Sequence, residues 1–357
     1  MYDHVLITGG AGFVGSSIAV DLRQRFPGIR VTAFDNLYRR GSELNLPRLA
    51  RAGVQFTHGD VRCPEDLRGL RETPGLIIEC SAEPSAQAGY GGSPEALIRT
   101  NLDGCFHCLE YARSVGADFL FLSTSRVYPV AALNALEWRE DETRFSLDDI
   151  QQTPGASGMG IAESFPLDGA RSLYGMTKLA GELMVTEYAD AYGLRAAINR
   201  CGLIAGPWQM GKSDQGVVTL WAAAHYFKRP LRYIGFGGTG KQVRDIVHIA
   251  DICDLVADQV ARFDSYAGCL FNAGGGLRHS ASLRELTRTC EEVTGNRIAI
   301  EAEAENRRAD LRIYITDHRR LTEATGWSPR RDVHTVIGDI CAWIRNEEAV
   351  IGPLLGR

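Results

Sequence analysis

The sequence predicts an α/β protein: a doubly wound parallel sheet followed by a smaller mixed α/β lobe towards the C-terminus. Three observations carry this. Short apolar runs alternate with segments of helical periodicity through the first two-thirds of the chain, the pattern of a parallel sheet covered on both faces. The chain has 357 residues, enough for one large or two interleaved domains with a substantial core. After Arg200 the alternation becomes mixed, with glycines at 235, 237, 238 and 240 and again at 274 to 276.

The elements follow in order. Val5-Leu6-Ile7 reads as the first strand and Phe13 to Phe26 as the first helix. Val31 to Phe34, Val54 to Thr57, Leu76 to Ile78 and Phe119 to Leu122 are the next apolar runs, each bounded by helical or turn segments. Right-handed crossovers between parallel strands make such a sheet doubly wound. Two long helices, Ala96 to Val115 and Tyr174 to Tyr192, carry apolar residues on more than one face. They are either deeply buried or packed against the same pair in a second copy. The segment from Pro129 to Leu173 is long and irregular, and its place before Tyr174 suggests a cover over a substrate. Beyond residue 275, helical patterns run through 281–292, 317–325 and 332–346. The expected division is a sheet domain of residues 1–200 with 241–275, and a lobe of 201–240 with 276–357.

Composition narrows the function. A net charge of −5 gives no global pull towards nucleic acid, so an anionic ligand would need local Arg, Lys or helix N-termini. No apolar run approaches the ~20 residues of a membrane span, and the first residues lack the parts of a signal peptide. A cytoplasmic protein with no membrane partner is therefore expected. Nine scattered cysteines suit reduced thiols, and Cys105 and Cys108 read as core residues of a helix. The eight histidines show no HxxxH or HxH spacing, so no metal site is expected. There is no GxSxG elbow.

Thr8-Gly9-Gly10-Ala11-Gly12-Phe13-Val14-Gly15 joins the first strand to the first helix. Glycines at 9 or 10, 12 and 15 describe a tight turn that lets backbone approach a pyrophosphate. The N–H groups and positive dipole end of the helix, at Phe13 and Val14, then face the anion. Asp35 closes the second strand and Asn36 follows it; a carboxylate there accepts from the adenosine ribose hydroxyls and repels a 2′-phosphate. Arg39 and Arg40 argue for that phosphate, and NAD is the reading adopted. Asp60 and Val61 close the third strand, where an Asp can take the adenine amino group. The sheet domain is thus expected to be an NAD-binding Rossmann domain, and the lobe a substrate-binding one.

Tyr174 and Lys178 form YxxxK near a helix start, on one helical face. An ammonium beside a phenol favours the phenolate and lowers a pKa that is otherwise about 10. Tyr174 is then a general base at neutral pH. Thr124 lies at the C-terminal edge of the fifth strand, where ligands of open α/β sheets bind, and can hydrogen-bond the reacting oxygen.

With these motifs in this order, the chain resembles the extended short-chain dehydrogenase/reductase family. Within it, the chain resembles the CDP-tyvelose (CDP-paratose) 2-epimerase group. The resemblance rests on Ser123-Thr124-Ser125-Arg126-Val127-Tyr128, Tyr174-Gly175-Met176-Thr177-Lys178, Ser213-Asp214-Gln215-Gly216-Val217-Val218 and Gly240-Lys241-Gln242-Val243-Arg244-Asp245-Ile246-Val247-His248. It implies that Thr124, Tyr174 and Lys178 are catalytic, with Tyr174 and Lys178 also touching the cofactor. It places Ser123, Asn101 and Ala82 beside the cofactor, Ala82 lying in the small-residue run Ser81-Ala82-Glu83-Pro84-Ser85. It implies a substrate set of Thr124, Arg126, Gln215, Arg244 and Arg307. Arg244 and Arg307 would hold the diphosphate, for which a planar guanidinium fork is suited. The implied activity is inversion of one stereocentre of a nucleotide-linked sugar, through transient oxidation to a keto-sugar and return of the hydride, in a homodimer. A UDP- or dTDP-hexose 4-epimerase and a non-catalytic NAD-binding regulator are the alternatives. Dehydratases of this family place Asp-Glu after the catalytic Thr; here Ser125-Arg126 stands there. The relatives' Arg-x-Phe-Asn reads Arg200-Cys201-Gly202-Leu203, so Leu203 inherits no role.

Overall fold

The computed structural model describes residues 1–211 and 216–356. It contains a sheet of seven parallel strands flanked by helices. These are β1 (His4–Thr8), β2 (Arg30–Asp35), β3 (Gln55–His58), β4 (Leu76–Glu79), β5 (Asp118–Thr124), β6 (Ala196–Cys201) and β7 (Leu270–Ala273). The spatial order is β7-β6-β5-β4-β1-β2-β3. β1 and β4 are buried along their full lengths, as strands covered on both faces must be, and this is why their sequences are continuous apolar runs. The chain leaves β1 in one direction and returns at β4 on its other side, so the gap above β1 and β4 is the switch point at which open α/β sheets take ligands. The doubly wound α/β class read from the sequence is therefore the fold observed.

Three helices matter for the site: α1 (Phe13–Arg25), α2 (Gly104–Val115) and α3 (Leu173–Tyr192). The long helix expected from Ala96 is interrupted. A four-residue turn, Glu95–Ile98, runs into a π-helical turn, Arg99–Asp103, before α2 begins. Such a turn inserts one extra residue and re-aims the side chains within it. Phe34, Leu109, Phe119, Phe121 and Val185 lie in one core cluster with Cys105 and Cys108, so the two cysteines do pack as apolar residues. All nine cysteines are free thiols.

Contacts divide the chain into two compact units. The first is Met1–Thr124, Leu173–Arg200 and Ile252–Phe271. The second is Ser125–Ser172, Cys201–Asp251 and Asn272–Arg357. Residues 125–172 cluster with the second unit. Its main sheet is mixed: Val243–His248 pairs parallel with Leu203–Ala205 and Ile313–Tyr314, and antiparallel with Ser280–Ser282. The 129–173 stretch also has structure of its own. It holds a short helix, Val130–Asn134, a hairpin of Trp138–Glu140 with Phe145–Leu147, and a second of Ala156–Ser157 with Gly160–Ile161. Among the described residues, no helix is long and apolar enough to cross a membrane.

Candidate active site

The glycine turn between β1 and α1 is shaped by two different demands. Gly9 has φ +63°, and a Cβ there would lie 2.8 Å from the backbone of Cys80. A Cβ on Gly15 would lie 2.3 Å from the Gly9 carbonyl oxygen. These glycines are required by the protein's own packing. Gly12 is different: its nearest obstacle is the Gly9 oxygen at 3.1 Å. Gly12 caps α1 with no side-chain hydrogen bond and no acidic residue in the first turn, and Gly12, Phe13 and Val14 are only half-buried. An uncapped helix start behind a close turn fits a pyrophosphate, which the orphan N–H groups and the dipole both attract.

Asp35 is half-buried at the end of β2. Its Oδ2 accepts from the Ala11 N–H at 3.1 Å and its Oδ1 from the Leu37 N–H at 2.8 Å. Burial pushes its carboxyl up, against the opposing backbone hydrogen bonds. Asn36 donates to Asp60 at 2.9 Å. Burial raises the Asp60 carboxyl, but hydrogen bonds from Arg62 and Asn36 outweigh that and hold it at about 2. Val61 is buried against Gly104 at the start of α2, where a Cβ would lie 2.7 Å from the valine methyl. A carboxylate beside the glycine turn and a second one beyond it fit the ribose and base of an adenosine.

Asn101 sits inside the π-helical turn and is buried. Its Oδ1 accepts from the Glu83 N–H at 2.8 Å, and its Nδ2 donates to the Thr177 hydroxyl at 3.0 Å. It thereby ties the loop containing Ala82 to α3. Thr124 ends β5, 9% exposed. The neighbouring Ser123 hydroxyl donates to Glu182, which accepts from Arg200 through Nε at 3.0 Å and Nη2 at 2.7 Å. This buried network joins the ends of β5 and β6 to the middle of α3.

Tyr174 and Lys178 occupy the first turns of α3, Tyr174 half-buried and Lys178 3% exposed. Lys178 Nζ donates to Glu79 Oε2 at 3.2 Å and lies 4.1 Å from the centroid of the Phe121 ring. A Cβ on Gly181 would be 2.6 Å from that ring, so a glycine one turn on lets α3 settle onto β5.

In the second unit, Arg244 donates to Asp310 at 3.2 Å and to the Val243 carbonyl at 2.7 Å. Arg126 donates to the Ala309 carbonyl at 3.0 Å, and Ala309 adopts φ +55°. Arg307 opens the same tight turn: its carbonyl accepts from the Asp310 N–H at 3.3 Å. Burial, followed by the nearby Arg126 charge, lowers the Arg244 guanidinium to about 10. Two guanidiniums thus lie close together, with Asp310 bonded to Arg244 and Asp245 also acting on it.

Residues 5–274 match the NAD dependent epimerase/dehydratase family. The chain belongs to that family. It is accordingly an enzyme, and its cofactor is NAD. The chain is 30% identical to the CDP-paratose 2-epimerase of Salmonella typhi over 91% of its length and 94% of that protein. It is 27% identical to the dTDP-glucose 4,6-dehydratase of Streptomyces griseus over 99% of its length and 98% of that protein. Its structure is similar to that of the Thermus thermophilus UDP-glucose 4-epimerase complex with NAD, with a TM-score of 0.76, 26% identity, and coverage of 96% and 99% of the two chains.

The first unit of this family member holds the glycine turn, Asp35, Asn36, Asp60, Val61, Ala82, Asn101, Ser123, Thr124, Tyr174 and Lys178. The second holds Arg126, Arg244 and Arg307. Gln215 lies outside the described residues. Sequence reasoning missed Glu79, Glu182, Arg200 and Asp310. Glu182 had a signal, since it lies four residues beyond Lys178 on the same helical face. Glu79 had a weaker one, as the charged residue that closes an apolar run.

Proposed function

We propose that this enzyme is an NAD-dependent epimerase of a nucleotide-linked sugar, of the CDP-paratose 2-epimerase kind, working as a homodimer. The observation that carries the nucleotide-sugar reading is the approach of two guanidiniums at Arg244. Its side chain is 19% exposed and bonded to one carboxylate, with a second guanidinium from Arg126 alongside. A diphosphate accepts planar donor forks of this kind. Arg307 flanks the same turn and completes the diphosphate set.

NAD, when bound, supplies reversible two-electron oxidation. The chain's own residues handle the proton and the positioning. Tyr174 takes the proton from one sugar hydroxyl and later returns it. Lys178 stabilises the phenolate form of Tyr174 that accepts this proton, and Thr124 donates a hydrogen bond to the reacting oxygen. The arginines hold the diphosphate while the sugar turns to present its other face. Gly9, Gly12, Phe13, Val14, Gly15, Asp35, Asn36, Asp60, Val61, Ala82, Asn101 and Ser123 form the cofactor set.

Carbon 2 of a CDP-deoxyhexose is supported by the 30% identity to the Salmonella typhi enzyme. Ser125-Arg126 after Thr124 weighs against dehydration, which needs an acid and a base at those positions. A UDP- or dTDP-hexose 4-epimerase is a second reading, favoured by the likeness to the Thermus enzyme. The test is to supply purified enzyme with CDP-, UDP- and dTDP-sugars in deuterated water. Inversion at carbon 2 of a CDP-sugar with no deuterium at that carbon is expected, because the same hydrogen leaves and comes back. Deuterium at the inverted carbon sinks this route, and turnover of only UDP- or dTDP-hexoses selects the second reading.

A further inference from the structure

We infer that Glu79 is a positioning residue for the reaction: it is the counter-charge that keeps Lys178 an ammonium ion in a dry site. The inference rests on the role given to Tyr174 and Lys178 above.

β4 runs Leu76-Ile77-Ile78-Glu79, and all four residues are buried. A carboxylate at the end of such a strand would ordinarily turn to water. Instead the Glu79 side chain is 2% exposed and meets the Lys178 ammonium, itself 4% exposed, at 3.2 Å. Among the described residues, the other elements around Lys178 offer no second anion. β5 presents the Phe121 ring, whose face attracts a cation but carries no charge to neutralise it. α2 presents the Cys105 thiol, with Cys108 nearby, and burial pushes both thiols up so that they stay neutral. α3 itself contributes the Tyr174 phenol.

Taken alone, the burial of Lys178 would favour the neutral amine, and buried lysines can titrate as low as about 5–6. Here that burial is outweighed by Glu79 first, with Tyr174 and Cys105 adding to it, and the net direction is upwards. A neutral amine exerts no pull on a phenolate. The carboxylate does weaken the field that Lys178 exerts on Tyr174. That loss is the smaller one, since losing the proton from Lys178 removes the field entirely.

The test is the pH dependence of kcat/KM for Glu79→Gln in the NAD-loaded enzyme. The alkaline limb should move down by about one pH unit or more, so that activity on that limb falls about tenfold further than at neutrality. A profile of unchanged shape, lowered by a constant factor, would overturn the inference. A second readout needs no activity. Thermal unfolding is compared across Glu79→Gln, Lys178→Met and the double variant. Glu79→Gln should lower Tm in the wild-type background and raise it, or leave it unchanged, beside Lys178→Met, where it relieves an unpaired buried carboxylate. Equal losses in both backgrounds overturn the pairing. If Glu79→Gln alone does not fold, recovery in the double variant supports the inference, and failure of both sinks it. Full activity in Tyr174→Phe would count against the proposed function, while the thermal coupling between Glu79 and Lys178 would still stand or fall by itself.

Discussion

At the scale of single residues, the site depends on a few side chains whose charge state is set by their surroundings. Tyr174 carries the proposed proton transfer. It is half-buried at the head of α3, while Lys178, one turn on, is fully enclosed. Removing only the phenol oxygen tests the proton-transfer role with little change in packing. Tyr174→Phe should lower kcat by about 10²–10⁴-fold, the usual worth of general acid–base catalysis. NAD content and Tm should remain those of the wild type. A variant that turns over normally, or one that loses NAD and stability together with activity, would refute that role. Asp35 and Asp60 illustrate opposite control of the same group. Burial pushes the Asp35 carboxyl up, whereas Asp60 is held down at about 2 by Arg62 and Asn36 despite its own burial. The contribution of Asp60 to stability is therefore present above the ordinary carboxylate range and lost as pH falls through about 2.

At the scale of elements, the strand–turn–helix from β1 to α1 separates what the fold needs from what the cofactor needs. Gly9→Ala combines φ +63° with a Cβ 2.8 Å from the Cys80 backbone. It should cost more than the ~1 kcal/mol of an ordinary left-handed alanine, read as a lower Tm even without added NAD. Gly12→Ala meets only the Gly9 oxygen at 3.1 Å, so Tm without added NAD should change little while NAD affinity falls. Similar effects of the two substitutions on stability and affinity would refute the distinction. The same turn was fully legible in the sequence, because its glycines sit between a buried apolar run and a helical pattern. Strands β1 to β5 were legible as short apolar runs, whereas β6 and β7, broken by Asn199, Arg200 and Asn272, were not. Elements of two or three residues, such as Ala156–Ser157 and Ile313–Tyr314, are too short to show a period, so 129–173 read as irregular. The π-helical turn at Arg99–Asp103 was also invisible, since one inserted residue barely disturbs a helical pattern. Long-range polar pairs leave no mark in a single chain: Glu79 and Lys178 lie 99 positions apart, and Arg126 meets Ala309 across 183.

At the scale of the whole molecule, the long helices of the first unit carry an apolar surface that the described chain does not cover. Leu183 is 61% exposed on α3, Phe106 44% exposed on α2, and Met176 37% exposed one α3 heptad before Leu183. α2 and α3 pack on one another, and α3, with 20 residues, spans ~30 Å. A second copy bringing the same two helices would bury these residues in a four-helix arrangement with two-fold symmetry, in which one patch is its own complement. Leu183→Glu tests the proposed homodimer cleanly, because a side chain that is mostly in water contributes little to the folding of its own chain. In the dimer it would place two carboxylates close to the symmetry axis, in a contact that loses its water. Light scattering should give twice the chain mass for the wild type and the chain mass for Leu183→Glu, with the helical circular dichroism unchanged. The Tm of the wild type should also rise with protein concentration, as it must when association stabilises the native state, and that of the variant should not. Since α3 also carries Tyr174 and Lys178 at its N-terminal end, the monomeric variant should keep its catalytic groups but lose heat tolerance. A wild-type protein that is monomeric at micromolar concentration would refute the dimer and leave the apolar face to another partner.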